Sequence, residues 1–284
     1  MLMTLAHSFM SRHVSASRLG RRLFAALCGV SALMLGACVG LDDSANNNRY
    51  GSVNLRATGS APGPFSATAT VTFFTGGEAT LPTSVTSVDQ CGQFPFTVEQ
   101  IVPGNLTGGT SLALRVGGQS YAMTEPPTVP RIYTLPAPGV ALYQTGDSAI
   151  LTVPGVAGGF PGGQIAVRLA EPVLLGPLAP VEAGADYAIS WASNGDPRSG
   201  VIISMRYALA GSTDAPNRQL LCTVRDDGAY TIPGGVLTEW STSNAASRSV
   251  NVLRWRTNEA SVDERSKLHI VSTIDTTAVT VNQP

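Results

Sequence analysis

Apolar residues in this chain recur at every second position, in short runs that stop at glycine or proline. Val53, Leu55 and Ala57 alternate with polar neighbours, and so do Ala67, Ala69, Val71 and Phe73 before Gly76-Gly77. Leu112, Leu114 and Val116 end at Gly117-Gly118, and Ile165, Val167 and Leu169 repeat the pattern. Successive side chains of an extended chain point to opposite sides, so a period of two marks a strand with one buried face. Glycine (30 residues) and proline (19) make up about 17% of the chain, above the ~12% of average usage, and fall between these runs, where turns belong. No window of twelve or more residues holds a 3.6-residue period. The polar stretch Ala260 to Lys267, free of glycine and proline, has room for one or two helical turns. The patterning predicts an all-β chain of sandwich type.

A boundary is expected where Glu171-Pro-Val-Leu-Leu-Gly-Pro-Leu-Ala-Pro180 interrupts the alternation, dividing the chain into β-sandwiches at 51–171 and 172–284. Beyond it Tyr187, Ile189 and Trp191 alternate, then Ile203, Met205 and Tyr207, then Leu220, Cys222 and Val224. Asn194-Gly-Asp-Pro197 reads as a turn and Asp226-Asp227-Gly228 as a hairpin turn. Later strands are expected at Val250 to Arg256, with Trp255 packing inward between Arg254 and Arg256, at Leu268 to Ile274 and at Ala278 to Val281. About seven strands in roughly 110 residues suit an immunoglobulin-like sandwich. Tyr187-Ala-Ile-Ser-Trp191, its loop and Val201-Ile-Ile-Ser-Met205 resemble strands B and C of a fibronectin type III module. That resemblance implies a tryptophan, Trp191, packed between two sheets. Residues 51–170 carry no comparable resemblance.

The first 37 residues differ from the rest. Residues 1–22 hold Arg12, Arg18, Arg21 and Arg22 and no acid; Leu23 to Leu35 are then an unbroken apolar and small-residue run, followed by Gly36, Ala37 and Cys38. This is the layout of an export signal. As a helix, 13 residues at ~1.5 Å each span roughly 20 Å, short of the ~30 Å bilayer core. The string Leu35-Gly36-Ala37-Cys38 resembles the lipobox of bacterial lipoprotein signal peptides. The resemblance implies cleavage after residue 37, a diacylglyceryl thioether and an N-acyl chain on Cys38, and attachment to a membrane through them. In that class an aspartate after the cysteine retains the protein at the inner membrane. Val39 stands there, so the resemblance points to the outer membrane. Arg21-Arg22-Leu23-Phe24 partly resembles a twin-arginine signal, leaving the export route open. Residues 38–50, rich in asparagine and without apolar period, read as a lipidated tether.

Loss of the leader removes four arginines and no acid, so the formal charge moves from −1 to −5 over the remaining 247 residues. No Lys/Arg run or RNA-binding motif remains to recruit nucleic acid. His7 and His13 leave as well, and His269, on the outer side of a strand, is then the only histidine. One histidine and two unlipidated cysteines do not make a poly-histidine or four-cysteine zinc site, and no Gly-x-Ser-x-Gly elbow supports a Ser-His-Asp triad. Gly158-Gly-Phe-Pro-Gly-Gly163 lacks the Lys-Ser or Lys-Thr of a phosphate loop. No catalytic residue, metal ligand or cofactor is assigned.

Cys91 and Cys222 are either bridged or two separate buried thiols. A bridge would close a loop of about 131 residues, contributing ~5 kcal/mol in the chain-entropy model. Trp240, in the polar stretch Leu237-Thr-Glu-Trp-Ser-Thr-Ser243, and Phe160, in the glycine-rich loop, are the candidate contacts for a protein or glycan partner. The expected function is non-enzymatic: a lipid-anchored envelope protein that presents β-sandwiches to such a partner. The alternatives are an envelope polysaccharide hydrolase using two of the 19 carboxylates and a carrier of an apolar ligand inside one sandwich.

Overall fold

The alternating residues of the sequence are the buried residues of the fold. A computed structural model describes residues 48–60, 62–76, 88–96, 102–180, 182–209, 215–275 and 279–280. The leader and Cys38 lie outside the described residues. Ser44–Pro284 forms one compact unit. Its strands, in chain order, are β1 (Arg49–Thr58), β2 (Phe65–Thr75), β3 (Gln90–Pro95), β4 (Leu112–Val116), β5 (Gln119–Met123), β6 (Tyr133–Thr134), β7 (Ala141–Tyr143) and β8 (Ser148–Val153). They continue with β9 (Gly163–Arg168), β10 (Tyr187–Ser190), β11 (Ser199–Tyr207), β12 (Arg218–Arg225), β13 (Ala229–Ile232), β14 (Ser249–Asp263), β15 (Ser266–Asp275) and β16 (Val279–Thr280). Among the described residues one short α-helix, α1 (Thr238–Thr242), interrupts them, flanked by 3-10 turns at Gly234–Leu237 and Ala245–Ser247.

The protein is all-β and sandwich-like. A ten-stranded sheet runs β3-β12-β11-β14-β15-β1-β2-β6, with β7 also on β2 and β16 on β14. A four-stranded sheet, β5-β4-β8-β9, and a two-stranded sheet, β10-β13, form the opposing layers. One apolar cluster joins the inward residues of β1, β2 and β15 to those of β4, β8 and β9. A second joins β11, β12 and β14 to β10, β13 and Trp240 of α1. Trp191 belongs to this second cluster.

The passage from one cluster to the other in the sequence falls between Ala170 and Val173, at the proline-rich stretch. The ten-stranded sheet is nevertheless continuous across both clusters. β1 pairs in parallel with β15, Val53 opposite Ile270. β3, from the first half of the chain, pairs with β12 at the far edge, Cys91 opposite Cys222, and a disulfide joins the two. β14 serves both sides: Val250 and Val252 enter the second cluster, while Ala260 and Val262 pack on the first.

Three local expectations are corrected. Residues 260–267 are not helical. They carry the end of β14, a tight turn and the start of β15, because Ala260 and Val262 continue the strand's inward parity. Trp255 does not pack inward. It shares parity with the half-buried Leu253, while Arg254 and Arg256 share the inward parity of Val250 and Val252. The indole lies over Gly200 of β11; a Cβ there would stand 2.3 Å from Trp255 Cζ2. Asp226-Asp227-Gly228 is not a hairpin turn. It carries the chain from β12 in the large sheet to β13 in the two-stranded layer.

Candidate functional site

Charged side chains concentrate where the two apolar clusters meet. Arg254 and Arg256 project inward from the middle of β14 and are almost fully buried. Arg254 Nε stands 2.8 Å from Asp226 Oδ2 as an ion-pair contact rather than an aligned hydrogen bond. Its Nη2 donates to Asp226 Oδ1 at 3.1 Å and to the Ala192 carbonyl at 2.6 Å. Its Nη1 reaches the carbonyls of Glu171 and Pro172 at 3.5 and 3.3 Å. Asp226 also accepts from Trp191 Nε1 at 2.9 Å and from Ser199 Oγ at 3.0 Å. The cation that Asp226 faces is therefore a guanidinium.

Arg256 grips the same connection from its side chain. Its Nε and Nη2 each donate to Glu171 at 2.8 Å, a two-pronged carboxylate contact, and its Nη1 pairs with Asp196. Such forked pairs are directional and charge-assisted. Burial alone pulls the Arg256 guanidinium down, but Glu171 and Asp196 outweigh it and the net shift is upward. Asp196 is held below the usual carboxylate range, first by the backbone N–H of Arg198 and then by the Arg256 guanidinium, against its own desolvation. Arg168 and Arg198 flank the cluster at 3.7 Å from Glu171 and Asp196. The arrangement clamps the Glu171–Pro172 connection to the spine strand β14.

These arginines are the residues that sequence reasoning missed. The signal was present: Val250, Val252, Arg254 and Arg256 have one parity, and extending the apolar face by two steps places both arginines inside.

The candidate contacts are corrected. Phe160 is 0% exposed and stacks on Phe73 with ring centroids 4.6 Å apart. The glycine-rich loop turns back on itself, with Gly158 at a φ of +77° and Phe160 N donating to the Thr107 carbonyl at 2.8 Å. Trp240 is 1% exposed. Most of the polar stretch around it folds as α1, and Trp240 on the helix and Leu237 at its N-cap enter the second cluster together. The guanidinium of Arg248 covers the indole at 5.4 Å from the ring centroid. Neither ring presents a face to a partner.

His269 lies on the outward parity of β15, where its Nε2 meets Thr257 Oγ1 at 2.7 Å. Burial pushes its pKa down, partly opposed by Glu259. Among the described residues no group of three or more histidine, cysteine, aspartate or glutamate side chains is placed to hold a metal ion.

A surface cleft of about 510 Å³ opens at the start of β1 and the β14–β15 turn, lined by Arg49, Asp263, Glu264, Arg265 and Ser266. The backbone N–H of Arg49 donates to the Arg265 carbonyl at 2.7 Å, which joins the two sides. Asp263 is held below the usual carboxylate range, first by the backbone N–H of Arg265 at 2.8 Å.

No family model matches the chain, and no curated protein is significantly similar to it. Among the described residues no helix is long and apolar enough to cross a membrane.

Proposed function

We propose that this is a lipid-anchored protein of the cell envelope, held at the outer membrane through acylated Cys38, with a non-enzymatic binding or structural role toward a protein or glycan partner. One observation carries the reading: Leu35-Gly36-Ala37-Cys38 ends an apolar run behind a basic leader, six residues before the compact unit that begins at Ser44. A short polar tether followed by a β-sandwich body suits a protein that displays loops away from its anchor. The Cys91–Cys222 disulfide accords with an oxidising compartment outside the inner membrane. The carboxylates gathered at the junction, Glu171 and Asp196, are both paired with Arg256, an arrangement that serves support more than proton transfer. The test is Cys38→Ser: the protein loses acyl labelling and becomes extractable from the membrane fraction by high salt. Persistent labelling would sink the assignment.

A further inference from the structure

We propose that the cleft between Arg49 and the β14–β15 turn binds a phosphoethanolamine group, presented as the headgroup of a bilayer lipid. The bilayer source rests on the anchor reading above; the binding chemistry does not. Two guanidiniums, those of Arg49 and Arg265, and two carboxylates, those of Asp263 and Glu264, line a single cleft. Salt bridges among the described residues engage none of these four side chains, although the Arg49 charge acts on Asp263 and the Arg265 N–H donates to it. Ser266, at the cleft floor, is 1% exposed; its Oγ neighbours Asp263 without an aligned hydrogen bond and is otherwise unpartnered. A zwitterion answers the exposed charges: phosphate oxygens accept from the guanidiniums, and a primary ammonium donates to the carboxylates.

Position favours a lipid as the source. Arg49 stands eleven residues after Cys38, so the chain between them reaches at most about 40 Å. A cleft at the start of β1 is therefore kept near the headgroups by the anchor itself. Tyr50, next in sequence to Arg49, pairs with Phe74 across β1 and β2 on the other face of the sheet from the cleft, both half-buried. Aromatic rings next to arginine are the residues favoured at a membrane–water boundary.

The test uses the purified full chain, with equilibrium dialysis against labelled glycerophosphoethanolamine. Saturable binding is expected, weakened about tenfold or more in the double variant Arg49→Ala/Arg265→Ala. Glu264→Gln is expected to erase the preference over glycerophosphocholine, whose quaternary ammonium has no N–H to donate. Both arginines sit at a strand end and a turn, so thermal melts should match the parent and certify the fold. No saturable binding, equal affinity in the double variant, or equal affinity for inorganic phosphate overturns the proposal. A flotation arm separates the sources, using the Cys38→Ser full chain with phosphatidylethanolamine–phosphatidylglycerol vesicles and with vesicles in which phosphatidylcholine replaces phosphatidylethanolamine. Flotation with the first alone supports the bilayer headgroup. Dialysis binding without flotation overturns the bilayer and assigns a free phosphoethanolamine compound. Acyl labelling of wild-type Cys38 is scored separately, so failure of the anchor leaves the dialysis result standing.

Discussion

Arg254 and Asp226 form a salt bridge whose side chains are only 3% and 1% exposed, at the point where the two apolar clusters abut. Two buried charges are tolerated there because polar groups answer them: Trp191 Nε1, Ser199 Oγ and the carbonyls of Glu171, Pro172 and Ala192. The same side chains tie the inter-cluster connection to β14. The junction thus sets how the two halves of the body are held.

Removing one partner of such a pair leaves an uncompensated buried charge. Asp226→Asn is expected to lower stability by about 3–5 kcal/mol, read from urea unfolding. The exposed pair Arg56–Asp275 is the control, and Asp275→Asn is expected to change stability by no more than about 1 kcal/mol. Equal effects would show that the junction is not privileged.

The disulfide pins an edge strand. With Cys91 and Cys222 both replaced by alanine, β3 keeps its ladder to β12 but the closed loop of about 131 residues opens. A loss of about 2–5 kcal/mol is expected in guanidinium unfolding. Wild type treated with a thiol reductant should shift by a similar amount, and the double variant should not respond.

Phe160 and Trp240 act through the cores. Truncating either to alanine is expected to cost about 3–5 kcal/mol in unfolding free energy. Thermal melts that match wild type would contradict their burial.

Stability should fall with acid in two stages. His269 has its pKa lowered by burial, so the unfolded chain takes up the proton more readily. Its contribution is present above the unfolded value of about 6.5 and is lost as pH falls through the folded value. Asp196 is likewise depressed, first by the Arg198 N–H, and its contribution is lost below about pH 4. Urea midpoints across pH should therefore be flat above about 7 and decline in these two windows. His269→Gln should remove the upper step and leave the lower one; an unchanged upper step would assign it elsewhere.

Much of this architecture was legible locally. Val53, Leu112, Ile189 and Leu220 each belong to an alternating run, and each is buried on its strand. What was not legible depends on partners far away in the chain. The pairing of β3 with β12, and of β1 with β15, leaves no mark in either segment alone. Trp255 misled because hydrophobicity suggests an inward ring, whereas parity with Val250 places the arginines inside and Gly200 makes room for the indole outside. The stretch 260–267 misled because a hairpin arm with few apolar residues lacks a strong period. The cleft was invisible because Arg49 and Arg265 meet only through a backbone hydrogen bond across 216 positions of sequence.

The central claim is the anchor, and the N-terminal peptide of the mature protein tests it most directly. Mass spectrometry of protein extracted from membranes should find a chain beginning at Cys38, with a diacylglyceryl group on its sulfur and an acyl chain on its amine. An unmodified Cys38, or a chain that still carries the residues before it, would contradict the account.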